Sequence, residues 1–262
     1  MRLDSLLSER GLFPSRSRAA ASVLAGDVLL LPGRRRAEKP GQLVPSDVEV
    51  EVVAPPPFVS RGGIKLANAL DAFGLDVARR HALDVGASMG GFTDCLLQRG
   101  AAHVVALDVA YGELDYKLRT DPRVTVIERR NARELLADEL PYAPDLIVID
   151  VSFISVSKVL GAALACAAPT YDCLALIKPQ FEAGRDAVGK GGVVRSADAR
   201  RGALIAVGGS ALTAGIAVLG YASSGLPGPK GNLETFIHLA EPGRAAGLAA
   251  GELEGAAREV EP

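Results

Sequence analysis

Tryptophan is absent from this chain of 262 residues, and cysteine occurs only three times. The odd number of cysteines, at Cys95, Cys166 and Cys173, and the lack of C-x-x-C spacing argue against a disulfide framework or a zinc site. The first ten residues also lack the continuous apolar core of a secretory signal peptide. These absences predict a cytoplasmic protein in a reducing compartment, with no bound metal.

Charged side chains are missing from residues 202–229, and the length of this segment alone would allow a membrane span. The segment holds seven glycines and two prolines, however, and it divides near Ala214 into a helix-like half and a strand-like half. A buried helix followed by a central strand at 216–221 explains the pattern better than a membrane span. We therefore expect no membrane partner.

The net charge of −2 hides an asymmetry along the chain. Residues 1–65 carry ten Lys and Arg against seven Asp and Glu, whereas the remaining residues have a net charge of −5. A basic N-terminal region joined to an acidic body indicates a small domain that contacts phosphates.

Four parts are predicted from composition and periodicity. The first is a small α+β domain, the second a stiff proline-rich linker, the third a large α/β domain, and the last a weakly ordered tail rich in Ala, Gly and Glu. Their predicted bounds are 1–54, 55–59, 60–240 and 241–262.

Two helices and two short strands are predicted in the small domain: a helix from Leu3, a second helix capped by Ser15 or Ser17, and strands at 28–31 and 48–53. Arg16 and Arg18 would occupy the first turn of the second helix, where the macrodipole disfavours cations. Either these two arginines have a binding role or they are ordinary solvated side chains.

Strand and helix signals alternate from residue 60 onward, which predicts a doubly wound, mostly parallel sheet. The loop before the last strand is too short for a helical crossover, so that strand should pair antiparallel at its edge of the sheet. Seven strands are predicted, at 81–85, 103–108, 124–128, 145–149, 173–177, 216–221 and 233–239.

A glycine-bearing turn, residues 84–94, joins the first of these strands to a helix. Gly86, Gly90 and Gly91 let the backbone turn sharply and approach a ligand closely. Their spacing differs from the G-x-G-x-x-G fingerprint of dinucleotide sites, and Asp84 would repel a bound phosphate. The turn therefore favours S-adenosylmethionine, which carries a sulfonium and no phosphate, over a dinucleotide, while a glycine turn without any ligand is the other alternative.

Charged residues stand at the ends of several predicted strands. Asp108 follows the second strand, where an acid accepts hydrogen bonds from ribose hydroxyls. Asp150 and Lys178 follow the fourth and fifth strands, and Glu234 lies at the start of the last one. Ligands bind outside the carboxyl ends of the strands in such sheets, so these residues, with Lys65 from the first helix, are candidates for chemistry.

Lysine is scarce, with only seven among 29 basic residues, so its positions are informative. Unlike arginine, a desolvated lysine near other cations can lose its proton and act as a base. Lys178 fits that role because it follows directly on a buried apolar run. Lys65 is explained equally well as a solvated lysine in the first turn of a helix.

Five segments of the chain, in order, resemble the TlyA family over residues 1–240. Members of that family are similar to FtsJ-type 2'-O-methyltransferases and carry an added N-terminal RNA-binding domain of the ribosomal S-four (alpha-L) type. The matching segments are Ser60-Arg-Gly-Gly-Ile-Lys-Leu66, Asp84-Val-Gly-Ala-Ser-Met-Gly-Gly-Phe-Thr-Asp94, Ile149-Asp-Val-Ser-Phe-Ile-Ser155, Lys178-Pro-Gln-Phe-Glu182 and Gly231-Asn-Leu-Glu-Thr-Phe236.

This resemblance implies a Rossmann-like S-adenosylmethionine-dependent methyltransferase that modifies the 2'-oxygen of cytidine in ribosomal RNA. It places the family's Lys, Asp, Lys and Glu tetrad on Lys65, Asp150, Lys178 and Glu234. We expect Lys178 to remove the hydroxyl proton, with the two carboxylates orienting the lysines and the hydroxyl. No metal is expected, because the methyl donor already bears positive charge.

The resemblance also implies binding residues. Asn131 is expected near the adenine or ribose, Phe153 beside the cofactor, and Lys190 in a basic glycine loop that either touches RNA or is simply mobile. The expected RNA contacts are Arg2, Arg16, Arg18 and Lys190. The expected cofactor contacts are Asp84, Gly86, Ala87, Ser88, Gly90, Gly91, Phe92, Asp108, Asn131, Asp150 and Phe153.

Two alternative functions belong to other classes. Family members have often been called haemolysins, which suggests a membrane-active protein, although the sequence offers no basic amphipathic helix for that role. The second alternative is a catalytically inactive RNA-binding factor in ribosome assembly.

The chain also departs from its relatives at Phe58, where a tryptophan is common.

Overall fold

The computed structural model describes residues 1–13, 15–53, 57–228, 230–245 and 247–261. The chain forms two compact units, Met1–Pro57 and Phe58–Pro262. Of the predicted linker at 55–59, residues 55 and 56 lie outside the described residues.

The first unit has the two helices and the short strands that its sequence predicts, with one further strand. Ser15 caps the second helix, since its Oγ accepts a hydrogen bond from the Arg18 backbone N–H at 3.3 Å. Leu3, Leu7 and Val28 are fully buried in its core. The elements are α1 (Leu3–Glu9), α2 (Arg16–Ala25), β1 (Val28–Leu30), β2 (Arg35–Arg36) and β3 (Val50–Val52), with antiparallel sheet order β2-β1-β3.

The second unit is an α/β domain around a seven-stranded sheet of order β6-β5-β4-β7-β8-β10-β9. Its strands are β4 (His81–Val85), β5 (His103–Leu107), β6 (Val124–Ile127), β7 (Leu146–Ile149), β8 (Asp172–Ile177), β9 (Ala217–Ser223) and β10 (Thr235–Ala240). Its helices are α3 (Arg61–Phe73), α4 (Gly91–Gln98), α5 (Tyr116–Arg119), α6 (Ser157–Ala165), α7 (Pro179–Glu182), α8 (Ala197–Thr213) and α9 (Leu253–Val260).

The predicted fold class is confirmed, including the direction of the last strand. Strands β4 to β8 pair in parallel, whereas β10 is antiparallel to both of its neighbours. β10 lies between β8 and β9, one place in from the edge that β9 forms. Every residue of β7, β8 and β10 is buried, because helices and loops cover both faces of the sheet.

The register of β10 brings its start to the edge where the parallel strands end. Thr235 lies opposite Ile177, so Glu234 stands level with Lys178. Asp150 follows β7, the neighbour of β8 on its other side. The carboxyl ends of β7 and β8 and the amino end of β10 therefore converge at one edge, as the sequence predicts.

The uncharged segment, residues 202–229, contains most of α8 and the whole of β9, so the predicted helix and strand are present. The strand is not central as expected: it forms the edge of the sheet, because β10 inserts between β8 and β9. Across the part of the chain that the structure describes, no helix combines the length and apolarity needed to cross a membrane.

The expectation of a weakly ordered tail is wrong for residues 253–260, which form α9. Leu253 and Ala257 lie one helical turn apart and are both buried in the core of the second unit. The composition of the tail suggested disorder, but Leu253 and Ala257, with Val260 also packed on the core, dock this short helix on α8 and β9.

Two adjacent glycines of α8 should respond in opposite ways to alanine. A Cβ on Gly209 would have open space around it, so Gly209→Ala should stabilise the chain by about 0.5–1 kcal/mol through helix propensity. A Cβ on Gly208 would overlap the Tyr221 hydroxyl, which donates a hydrogen bond to the Leu204 carbonyl at 3.0 Å. Gly208→Ala should therefore destabilise by about 1–3 kcal/mol. Thermal unfolding of both variants tests this, and equal shifts of the same sign would contradict it.

Candidate active site

A cleft of about 680 Å³ opens at the carboxyl ends of the parallel strands, and a second cleft of about 730 Å³ adjoins it. The first lies between the starts of α3 and α4, the ends of β7 and β8 and the start of β10. The second follows the ends of β5 and β7. Five residues line both clefts, which makes them neighbours: Gly86, Ser88, Asp150, Ser152 and Phe153.

Gly86 shapes the boundary between the clefts. Its φ of +87° is a conformation that favours glycine, and a Cβ there would lie 2.5 Å from the Asp150 carbonyl oxygen. Any other residue at this position would push the end of β7 away from the end of β4. The sequence predicted a close approach to a ligand at this glycine; the close approach that the structure shows is to the Asp150 backbone.

Gly90 and Gly91 have a reason to be glycine that the sequence did not suggest. A Cβ on Gly90, whose φ is +92°, would overlap Leu118. A Cβ on Gly91 would overlap Ser60 Oγ and lie 2.9 Å from the Gly63 backbone nitrogen. These two glycines let α4 pack closely on the start of α3 and on α5, and Gly91 lines the first cleft as well.

Asp84 lies beneath the turn and not in the clefts. Its side chain is fully buried at the end of β4, where Oδ2 accepts a hydrogen bond from Thr93 Oγ1 at 2.6 Å. Burial raises the pKa of the Asp84 carboxyl to about 7, despite that hydrogen bond, and the nearby Asp150 charge adds to the rise. Asp84 was expected to contact the ligand, whereas the structure shows it tying β4 to α4.

Asp108 and Asn131 both line the second cleft. The two carboxylate oxygens of Asp108 accept hydrogen bonds at 2.7 Å from the backbone N–H groups of Ser88 and Ala110. Asn131 Oδ1 accepts one from the Arg133 N–H at 3.1 Å. The acid at the end of β5 is thus held in one orientation, with its remaining lone pairs available to donors in the cleft.

Phe153 projects into both clefts and is 92% exposed. Its φ of +65° is unusual for a bulky residue and marks backbone strain, a feature that clusters at functional sites. The ring lies 5.4 Å, centroid to centroid, from Phe181, which also lines the first cleft. Three other expected cofactor contacts line the first cleft too: Ala87, Ser88 and Phe92.

Two lysine–carboxylate pairs line the first cleft. Lys65 Nζ lies 2.5 Å from Glu234 Oε2, and both residues are buried, at 7% and 2% exposure. Lys178 Nζ lies 2.6 Å from Asp150 Oδ1 and donates a hydrogen bond to Ser152 Oγ at 2.8 Å. The structure thus brings together all four residues that the resemblance assigns to the tetrad.

Comparison with known proteins matches residues 58–241 to the family described as FtsJ-like methyltransferase. The chain belongs to this family. Within it, the chain falls among the TlyA proteins, since it is 47% identical to the 16S/23S rRNA (cytidine-2'-O)-methyltransferase TlyA of Mycobacterium tuberculosis, over 91% of this chain and 89% of that one. The predicted family and the predicted methyltransferase class are confirmed.

Two further relatives carry a different name. Hemolysin A of Brachyspira hyodysenteriae is 40% identical over 91% of this chain and 99% of its own length. The solved structure of a "putative hemolysin" from Streptococcus thermophilus superposes with a TM-score of 0.75 at 36% identity, covering 99% of this chain and 94% of that one.

Several residues that line the first cleft of this methyltransferase were not singled out from the sequence. Ser152 and Asn232 stand inside the motifs that carry the resemblance, so the motifs pointed to their neighbourhood without giving them a role. Phe181 stands inside a motif as well, whereas Lys230, which also lines this cleft, lies outside the motifs. Among the described residues, no group of three or more His, Cys, Asp or Glu is arranged to hold a metal ion.

In the first unit, the predicted RNA-binding arginines surround one carboxylate. Asp4 is buried, and its Oδ2 lies 2.8 Å from Arg2 Nη2 and 3.1 Å from Arg16 Nε. Both arginine side chains are about half exposed, and Arg18 is exposed further along the same helix. Asp4 therefore holds the guanidinium groups of Arg2 and Arg16 side by side at the surface.

The buried Asp84 generates a prediction on pH. The raised pKa means that the folded chain keeps this proton up to about pH 7, whereas the unfolded chain loses it near pH 4, so stability falls as pH rises between these values. The slope from this one group is about 1.4 kcal/mol per pH unit at most. Asp84→Asn stays neutral and keeps an acceptor for Thr93, so its unfolding free energy should lack this decline.

Denaturant unfolding at several pH values, without added ligand, measures the difference between the variant and the unmodified chain. Asp138→Asn, at an exposed carboxyl of the same unit, serves as the control and should retain the decline. A parallel pH dependence of the Asp84→Asn variant and the unmodified chain would show that Asp84 is ionised in the fold.

Proposed function

We propose that this chain transfers the methyl group of S-adenosylmethionine to the 2'-oxygen of a cytidine ribose in ribosomal RNA. The observation that carries the proposal is the pair of lysine–carboxylate contacts, Lys65 with Glu234 and Lys178 with Asp150, in one cleft. The name of the Mycobacterium tuberculosis relative supports the choice of substrate, and because that name covers 16S and 23S RNA we propose both subunits as substrates.

The residues of the second cleft suit S-adenosylmethionine, which supplies an electrophilic methyl group on a sulfonium. Asp108 presents fixed carboxylate lone pairs to ribose hydroxyls, and Asn131 lies in the same cleft near where the adenosine would be held. Gly86 leaves the boundary between the clefts free of a side chain, and the Asp150 carboxylate at that boundary offers a negative charge to the sulfonium. The glycine spacing without a phosphate fingerprint agrees with this choice.

Lys178 is the proposed base. Its Nζ lies against Asp150 Oδ1 and Ser152 Oγ, which fix the position of the group in the cleft. To act as the base, Lys178 must be neutral, its ammonium proton having passed to solvent before the methyl group is transferred. The neutral amine would then accept the proton of the 2'-hydroxyl, whose oxygen would form a bond to the methyl carbon that S-adenosylmethionine supplies, with the electron pair of the former carbon–sulfur bond left on sulfur.

Lys65 and Glu234 are proposed to orient the reacting ribose. Their ion pair is almost completely desolvated, so its geometry is held rigidly. Little conformational entropy of these two side chains is therefore lost when the substrate binds. Glu234 Oε1 lies against the Gly228 backbone, where no Cβ would fit, which fixes the carboxylate further. A fixed carboxylate beside a cation provides one acceptor and one donor for ribose hydroxyl groups.

The first unit is the proposed RNA-binding domain of the ribosomal S-four type. Arg2 and Arg16 share Asp4 at the surface of this unit, and the region Met1–Lys65 has a positive net charge. Guanidinium groups held in this way match phosphate oxygens with two hydrogen bonds each.

Lys178→Arg tests the assignment of the base. Arginine keeps the positive charge beside Asp150 but does not accept a proton, so methyl transfer should fall by a factor of about 10²–10⁴. Incubation with labelled S-adenosylmethionine and unmodified ribosomal subunits, followed by mapping of 2'-O-methyl nucleotides, measures the loss. Titration calorimetry should show that the affinity for S-adenosylmethionine stays within a few-fold.

Lys117→Arg is the matched control, because Lys117 also pairs with a carboxylate, Asp94, at 3.0 Å but lies outside the clefts. Its turnover should equal that of the unmodified chain. Near-normal turnover of Lys178→Arg would overturn the base assignment. Failure of the unmodified chain to bind S-adenosylmethionine would favour the inactive assembly factor.

Arg16→Ala tests the RNA-binding role of the first unit. Loss of one phosphate contact should weaken RNA binding and reduce the slope of log affinity against log salt by about 1. The turnover rate at saturating RNA should not change, because the tetrad is untouched. The matched control is Arg258→Ala, an exposed arginine of α9 paired with Glu254. An unchanged salt slope in Arg16→Ala would contradict the assignment.

A further inference from the structure

A small hairpin, residues 189–193, lies beside the first cleft. Gly189 and Val193 form an antiparallel bridge, with the Gly189 N–H donating to the Val193 carbonyl at 3.0 Å. The turn passes through Gly191 and Gly192, whose φ values are +87° and +79°. Gly192 lines the cleft, while Lys190 stands exposed in the turn. The hairpin thus carries a cation at the border of the site.

Asn232 anchors this hairpin. Its side chain is 2% exposed, Oδ1 accepts a hydrogen bond from the Val194 N–H at 2.9 Å, and Nδ2 donates one to the Gly192 carbonyl at 2.8 Å. The carboxamide takes the place of a peptide group in a neighbouring strand, because it satisfies one donor and one acceptor of the same backbone segment. Ala could replace neither hydrogen bond.

Asn232 is in turn fixed relative to the tetrad. It stands two residues before Glu234, in a tight turn where the Gly228 N–H donates to the Asn232 carbonyl at 2.8 Å and Gly231 has a φ of +92°. Both Asn232 and Glu234 line the first cleft. The hairpin is therefore linked, through one side chain, to the segment that carries a member of the tetrad.

Cations at this border are not neutralised by the protein. Lys230 lines the cleft, and its Nζ lies against Gly192, 3.7 Å from where a Cβ would stand. Within the described parts of the chain, neither Lys190 nor Lys230 has a carboxylate oxygen within 4.0 Å. Three other lysines each pair with a carboxylate: Lys65, Lys117 and Lys178. The unpaired ammonium groups are thus available to an external anion.

We propose that Asn232 is a positioning residue for the RNA substrate: it holds the hairpin so that Lys190 and Lys230 bind the phosphates next to the methylated ribose. The identity of the anion rests on the proposed function, since a ribose within an RNA chain has a phosphate on each side. Ordering the hairpin before RNA arrives reduces the entropy lost on binding. Asn232 acts through the loop and takes no part in proton transfer.

A double-mutant cycle of Asn232→Ala and Lys190→Ala tests the proposal. Each single variant should raise the KM for ribosomal subunits about tenfold, while kcat at saturating RNA and the affinity for S-adenosylmethionine change less than about threefold. The double variant should be little worse than Asn232→Ala alone, because a released hairpin no longer presents Lys190. The salt slope of RNA affinity should fall by about 1 in each variant.

Two results would overturn the proposal. If the two substitutions multiply in KM, Asn232 does not act through the hairpin. If Asn232→Ala lowers kcat and the melting temperature with KM unchanged, its role is structural. Should Asn232→Ala fail to fold, the cycle is run with Asn232→Ser, which shortens the side chain and removes the carboxamide without adding a charge next to Lys190 and Lys230.

Measurement of RNA affinity by filter binding, without S-adenosylmethionine, separates this inference from the proposed function. If no methyl transfer is detected but the Asn232 and Lys190 variants still bind RNA more weakly than the unmodified chain, the proposed reaction is rejected and the hairpin's role is retained. If methylation is normal and the RNA affinity of the Asn232 and Lys190 variants is unchanged, the proposed reaction is retained and the hairpin's role is rejected. Arg258→Ala again serves as the cation control.

Discussion

The buried ion pair between Lys65 and Glu234 is the contact on which the site depends. It joins the first helix of the second unit to the start of β10, across 169 positions of sequence. Removing either partner would leave a buried charge without compensation, which costs roughly 3–5 kcal/mol. The pair can therefore form only when β10 is inserted in the sheet and α3 is docked on it, so the site is complete only when the fold is.

Insertion of β10 between β8 and β9 brings the start of a strand to the edge where the parallel strands end. A sheet of parallel strands alone would offer strand ends at one edge, each followed by a loop leading away to a helix. An antiparallel neighbour adds a strand start at the same edge, and its register sets Glu234 level with Lys178. Side chains from four distant segments are thus held by rigid elements rather than by long loops, which favours precise orientation of a substrate.

Local pattern was sufficient to predict the seven strands of the second unit, their direction and the residues at their ends, because buried apolar runs and short loops are local signals. It missed the two-residue strand β2 of the first unit, which has no apolar run. The tetrad could be named from motifs, but its pairing could not, since Lys65 meets Glu234 only through the tertiary fold. The packing of Gly90 against Leu118, of Gly91 against Ser60 and of Asp84 against Thr93 could not be predicted for the same reason, because each contact forms only in the fold. In α9, periodicity over eight residues was overlooked in favour of composition.

The lysines in and around the first cleft fall into two groups. Inside the cleft, each lysine of the tetrad is matched to a carboxylate, so the reacting centre is close to neutral before any ligand binds. At the border, Lys190 and Lys230 are left without such partners among the described residues. The chain after residue 65 has a negative net charge and would repel RNA at long range. Attraction to RNA therefore depends on basic side chains placed where the phosphates bind. Under the proposed function, pairing Lys65 and Lys178 while leaving Lys190 and Lys230 unpaired directs RNA phosphates to the border of the cleft and leaves its centre to one ribose.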